Sequence, residues 1–159
     1  MKLDDATRDD LYFMREALNE ARAALSCGEI PVGAVLVSEN EIIGRGFNRR
    51  VSQASPFAHA ETRALEDAGK RMGNWRFDGC ALYVTLEPCP MCAGAIVQTR
   101  VARVVYGAAD PKAGAGGTLY DILRDPRMPH RCSVTALVLA DESREMLREF
   151  FQSKRRAPL

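Results

Sequence analysis

Four side chains carried by two short segments have the types and the spacing to do chemistry: His59 and Glu61 in "AHAE", and Cys89 and Cys92 in "TLEPCPMCAGA". Each is ordinary by itself. A Cys-x-x-Cys pair also serves as a redox couple or as two small core residues. A single histidine is often a buried or capping side chain, and a glutamate at a helix start often answers the helix dipole. Together they offer more. Cysteines three apart in the first turn of a helix share one face, and the positive end of the helix dipole favours their thiolates. A histidine and two cysteines supply three donors for Zn2+, and a tetrahedral ion so held keeps a fourth position for water, the arrangement of hydrolytic and not structural zinc. Such an ion brings water toward hydroxide near neutral pH, and Glu61, close to a ligand without being one, is placed to move protons. The metal-ligand candidates are therefore His59, Cys89 and Cys92, and the catalytic candidate is Glu61.

These residues must be positioned by a chain of 159 residues, the length of one domain with one core. Hydrophobic content of 47% and charged content of 27% are those of a globular protein. No apolar run approaches the roughly 18 residues of a membrane span. "MKLDDATRDD" lacks the apolar core of a secretory signal, so a reducing cytoplasmic location is expected, with thiols free or metal-bound. The cysteines number five, which argues against a disulfide framework, and Cys27, Cys80 and Cys132 have no partner at ligand spacing. A formal net charge of +1 means that any nucleic-acid partner is held by a local patch and not by bulk charge.

Apolar residues at spacings of three and four predict a helix over 9–25, ended by Gly28. The β-rich runs 32–38 and 41–47, joined by a polar link with Asn40, read as a hairpin. A helix follows from "AHAE" to Gly69 and the loop at Gly73, with His59 and Glu61 in its first turn. Residues 80–87, 90–99 and 101–108 read as strand, helix and strand, a βαβ unit that forces parallel neighbours. After the glycine-rich 113–117 the pattern predicts a short helix near 119–123, a last strand over 133–140, and a closing helix capped by Asp141 and running through Phe151. With no repeat and no linker, residues 1–159 form a single α/β domain: three layers, α/β/α, around a five-stranded mixed sheet.

The pairing of His-x-Glu with Pro-Cys-x-x-Cys resembles the signature of the zinc nucleoside and nucleobase deaminases. Beyond it, "EIPVGAVLV", "GRGFNR", "LYVTLEPCPMCAGA", "VVYGAADPKAGAGG", "DILRDPRMPHR" and "FF" before a basic tail resemble the bacterial tRNA-specific adenosine deaminase family, from about residue 12 to 151. That resemblance implies a cytidine deaminase-like fold and zinc on His59, Cys89 and Cys92. It implies that Glu61 shuttles protons between the attacking water, the adenine ring and the leaving amine as adenosine becomes inosine at the wobble position of a tRNA anticodon. It further implies that Asn48 hydrogen-bonds the flipped nucleotide, that Asp110 contacts nucleic-acid backbone, and that Phe151, with Phe150 and the basic residues 154–156, lies near the anticodon stem-loop. A homodimer touching tRNA through both subunits belongs to the same expectation. A single-stranded loop suits this chemistry because its bases are already partly unstacked.

The chain departs from the family pattern at Phe57 before "AHAE", at Arg50 where proline is common, at Ala109 where arginine is common, and at Pro129. None of these is a metal ligand or Glu61. A small-molecule deaminase of guanine or cytosine would carry the same zinc motif. A non-catalytic zinc or RNA-binding module would be marked by loss of Glu61 or of a ligand, and all four are present.

Overall fold

In the computed structural model of the chain, which describes residues 6–156, the first helix is α1 (Arg8–Ser26). Thr7 caps it by accepting from the Asp10 amide while Asp10 returns the bond to the Thr7 amide, a reciprocal pair that satisfies two otherwise orphaned donors. The stretch read for a secretory signal lies partly outside the described residues. No described helix is long and apolar enough to cross a membrane.

Strands β1 (Gly33–Ser38) and β2 (Glu41–Phe47) pair antiparallel through a two-residue turn at Glu39 and Asn40, both at positive φ (49° and 62°), the twist that tight hairpins favour. Helix α2 (Ala60–Met72) then leads to β3 (Ala81–Leu86), α3 (Pro90–Gln98), β4 (Arg103–Ala108), a short β5 (Ser133–Thr135) and α4 (Ala140–Arg156). The sheet runs β2-β1-β3-β4-β5, antiparallel through β3 and parallel from β3 to β5. This is the expected five-stranded mixed sheet.

Strand alternation separates two cores. Ala34, Leu36, Leu82, Val84, Val104 and Tyr106 pack with residues of α2 and α3 on one face, whereas Val35, Val37, Tyr83 and Val105 pack with Phe13, Met14 and Ala17 of α1 on the other. Three layers result. Helix α2 lies directly on β2 because Gly44 and Gly46 carry no side chain; a Cβ at Gly46 would overlap the backbone of Ala60 and Ala64. The start of α2, where His59 and Glu61 sit, is thereby fixed against the sheet.

Three sequence expectations are corrected. Residues 119–123 form no helix: Leu119 and Tyr120 both donate to the Gly114 carbonyl and Gly116 bridges Asp121, so the segment is a folded loop. The last strand stops at Thr135, because the backbone turns through the left-handed region at Leu137 and Leu139 to bury Val138, whose amide bonds the Tyr106 carbonyl. The closing helix begins at Ala140, which puts Asp141 inside its first turn and not at the cap. It also runs on through Arg156, so Lys154, Arg155 and Arg156 are its last turn, where cations answer the helix dipole, and not a tail.

One polar cluster ties α1 to the sheet. Asp10 is 1% exposed and accepts from Tyr83 Oη (2.8 Å) and from both terminal nitrogens of Arg103 (2.7 and 2.8 Å). Burial pushes its carboxyl up, but the Arg103 guanidinium, the Thr7 amide and the Tyr83 hydroxyl together outweigh burial and hold it at about 2. A depressed carboxylate stabilises the fold above its unfolded value and loses that contribution as pH falls toward the folded one, so about 2 kcal/mol disappears between pH 4 and pH 2. Asp10→Asn should therefore unfold well below the unsubstituted protein at pH 7, and the gap between their thermal midpoints should close as the pH approaches 2. A gap that did not change with pH would assign the cost to packing instead of charge.

Candidate active site

The two motif segments meet at the edge of the sheet where β3 and β4 end and antiparallel β1 begins. His59 is the N-cap of α2, and Cys89 is the N-cap of α3. His59 was expected inside the first turn, and Cys89 stands just ahead of the helix read over 90–99. Pro90 starts α3, its missing N–H costing nothing there, and Cys92 follows one turn in. The His59 ring makes no capping bond to α2 and turns to the cysteines. Its Nδ1 lies 3.6 Å from Cys89 Sγ and 3.4 Å from Cys92 Sγ, and all three donor atoms are within 4.8 Å of one another.

These separations test the metal assignment directly. With Zn–N of about 2.0–2.1 Å and Zn–S of about 2.3 Å, the N···S edge of a tetrahedron is about 3.6 Å. The donor set and its two N···S edges fit zinc with three protein ligands. Among the described residues this is the group of histidine, cysteine and carboxylate donors close enough to share an ion.

The protonation pattern follows from the crowding. A hydrogen bond from Cys92, with a second from His59, holds the Cys89 thiol down at about 4. The same bond to Cys89, burial and the nearby Glu61 push the Cys92 thiol far up. Bonding to Cys89 raises the His59 imidazolium as well. Metal uptake must therefore displace protons from this cluster. Glu61, 4% exposed and in the first turn of α2, has its carboxyl pushed by burial up to about 7.

A cleft of about 470 Å³ opens onto these groups, within the roughly 300–1,000 Å³ of small-molecule sites. Every residue expected at the site lines it except Cys92, which is fully buried behind the others. Asn48 is 7% exposed; its side chain donates to the Ile30 carbonyl (3.3 Å) and accepts from the Arg50 amide (3.3 Å), leaving one N–H and one lone pair of the amide to spend. Asp110 stands on the facing loop, its Oδ1 accepting from the Lys112 and Ala113 amides. Phe151 sits half-exposed on the rim, with Arg144 and Leu147 on the same face of α4, while Phe150 turns inward and meets Phe151 edge-on at 5.4 Å. Of the departures from the family pattern, Arg50 and Ala109 line the cleft, but the Phe57 side chain is exposed and does not.

Two further residues, given no role by the sequence reading although they lie in the quoted segments, shape the site. Glu29 is 2% exposed and accepts from the Ser52 amide (2.6 Å) and the Val51 amide (3.4 Å), which fixes the loop after Asn48. Glu87, equally buried, is held by the opposite loop. The available signal was an acidic residue at the end of an apolar strand, next to the cysteines.

Comparison with known proteins agrees with this geometry. The family model for the cytidine and deoxycytidylate deaminase zinc-binding region matches residues 7–108. The chain is 49% identical over 150 residues to a tRNA-specific adenosine deaminase of Bacillus subtilis strain 168, covering 94% of this chain and 92% of that one. A solved tRNA:A34 deaminase, studied for A-to-I editing at the wobble position of transfer RNA, superposes with a TM-score of 0.82 at 42% identity, over 86% of this chain and 99% of that one. A guanine deaminase from Nitrosomonas europaea superposes with a TM-score of 0.77 at 25% identity, over 91% and 85% of the two chains. With the donor triangle, the sheet order and more than half of its length in agreement, this chain belongs to the cytidine and deoxycytidylate deaminase zinc-binding family.

Proposed function

We propose that this chain is a zinc-dependent hydrolase that converts adenosine to inosine at the wobble position of a tRNA anticodon, acting in the cytoplasm as a single domain over residues 1–159. The observation that carries this reading is the convergence of His59, Cys89 and Cys92 within 4.8 Å beside a buried Glu61, in a chain 49% identical over nearly its whole length to a tRNA-specific adenosine deaminase. The small-molecule alternative has less support, since the likeness to the guanine deaminase is only 25%.

Zinc held by the three donors supplies Lewis acidity that makes water nucleophilic near neutral pH. The remaining steps belong to side chains of the cleft. Glu61 takes a proton from the attacking water and delivers it to adenine N1 as the C6–O bond forms, and then carries the remaining C6 hydroxyl proton to the C6 amine, so that ammonia leaves as the C6–N bond breaks and the C6 carbonyl forms. Water and adenosine thus become inosine and ammonia, with no redox change. Asn48 presents its spare N–H and lone pair to the extruded nucleotide. Arg50 and Lys112, on opposite sides of the mouth, offer cations to flanking phosphates, and Phe151 offers a ring for a neighbouring base. The anticodon stem-loop suits such a site because its bases cost less to extrude. A homodimer in which RNA touches both subunits is part of the proposal; the exposed Val51 and Phe57, on the loop leading from Asn48 to His59, support an apolar contact there.

Purified protein given an anticodon stem-loop RNA with adenosine at the wobble position should form inosine and release ammonia in equal amounts. Inert RNA together with active deamination of free guanine or cytosine would overturn the substrate assignment. Glu61→Gln should keep its zinc, measured by elemental analysis, and lose at least about 100-fold in kcat. A variant that turned over normally would remove Glu61 from the proton path.

A further inference from the structure

The glycine-rich run from Ala113 to Gly117 has the look of a phosphate cradle, but its amides are already used. Glu87 Oε1 accepts from the Asp110 amide (3.2 Å) and from the Thr118 hydroxyl, while Oε2 accepts from the Gly116 amide (3.0 Å) and the Thr118 amide (3.2 Å). The carboxylate's partners are thus three amides and a hydroxyl drawn from one loop. Gly114 is required for the wrap, because a Cβ there would overlap the Glu87 carboxylate and the Asp110 carbonyl. The fit is close on both sides.

A carboxylate only 2% exposed and surrounded by neutral donors is an expensive way to fill a core, since an apolar side chain of similar size needs no compensating bonds. What it provides is position. The loop it grips carries Asp110, Pro111, Lys112 and Ala113, which form one wall of the cleft. The grip reaches that wall directly through the Asp110 amide, and Asp110 in turn fixes the Lys112 and Ala113 amides with its own Oδ1.

We infer that Glu87 is a positioning residue for substrate recognition: its buried carboxylate sets the 110–118 loop as the wall against which the polynucleotide flanking the target base is bound. The inference rests on the RNA-deaminase reading above. It assigns the glycine-rich loop an internal anion in place of a bound phosphate, and it separates Glu87 from the metal ligand Cys89 although the two are neighbours in the chain.

Glu87→Gln is nearly isosteric but sets an NH2 group against the loop's N–H donors. With the anticodon stem-loop RNA as substrate, its KM should rise at least about 10-fold while kcat changes far less and zinc content stays that of the unsubstituted protein. The Gly116 and Thr118 amides should exchange with solvent faster in the variant. Thr118→Val, which removes one bond and leaves the carboxylate, should move KM in the same direction by less, and keeps the idea testable if Glu87→Gln does not fold. An unchanged KM in both variants, or unchanged exchange at Gly116 and Thr118, would overturn the inference while leaving the deaminase reading intact. An unsubstituted protein that binds and deaminates no RNA would take both down.

Discussion

Three donor atoms from two helices must sit on one face of a tetrahedron a few ångströms across, and every larger feature of this fold can be read as serving that requirement. The sheet does most of it. Because β1 is antiparallel to both β2 and β3, those two strands end on the same side of the sheet, and the chain enters α3 where the hairpin hands over to α2. Two helix starts that lie thirty residues apart in sequence then face one another, and their cap residues, His59 and Cys89, become neighbours. Helix N-termini also carry unsatisfied amides and the positive end of the dipole, so the thiolates meet the metal in surroundings that already favour negative charge.

Around this fixed centre the cleft is built from parts that carry no catalytic group of their own. Opposite walls are loops, and each is anchored by a buried carboxylate, Glu29 beneath residues 49–52 and Glu87 beneath residues 110–118. Helix α4 closes the third side with Arg144, Leu147 and Phe151. The division is physically sensible. Zinc tolerates little displacement of its ligands and takes them from rigid helix starts, whereas recognition of a polynucleotide needs cations and rings at the surface, where loops can place them. The Asp10–Arg103–Tyr83 cluster stands on the far face of the sheet and keeps α1 seated without entering the chemistry.

Much of this was legible in the sequence, for identifiable reasons. The ligands lie in short motifs, so "AHAE" and "PCPMC" name them before any fold is known. The hairpin was legible because two β-rich runs bracket a two-residue turn, and the βαβ unit because proline marks the helix start. Other features depend on distant partners. In "TLEP" the place of Glu87 after an apolar strand points to burial, but nothing there names the amides 23 to 31 residues away that grip it, and nothing in "GEIP" tells that Glu29 will hold Ser52. For the same reason residues 119–123, which read as helical by composition, fold instead as a loop whose amides turn back to the Gly114 and Ala115 carbonyls. The last strand ends early because burying Val138 requires a turn that periodicity alone does not encode.

X-ray absorption at the zinc edge of the metal-loaded protein addresses the donor triangle most directly. The account predicts about two sulfur neighbours near 2.3 Å and about two nitrogen or oxygen neighbours near 2.0 Å, one of the latter contributed by exchangeable solvent. A shell made up entirely of protein donors, or a protein that takes up no zinc at all, would contradict it.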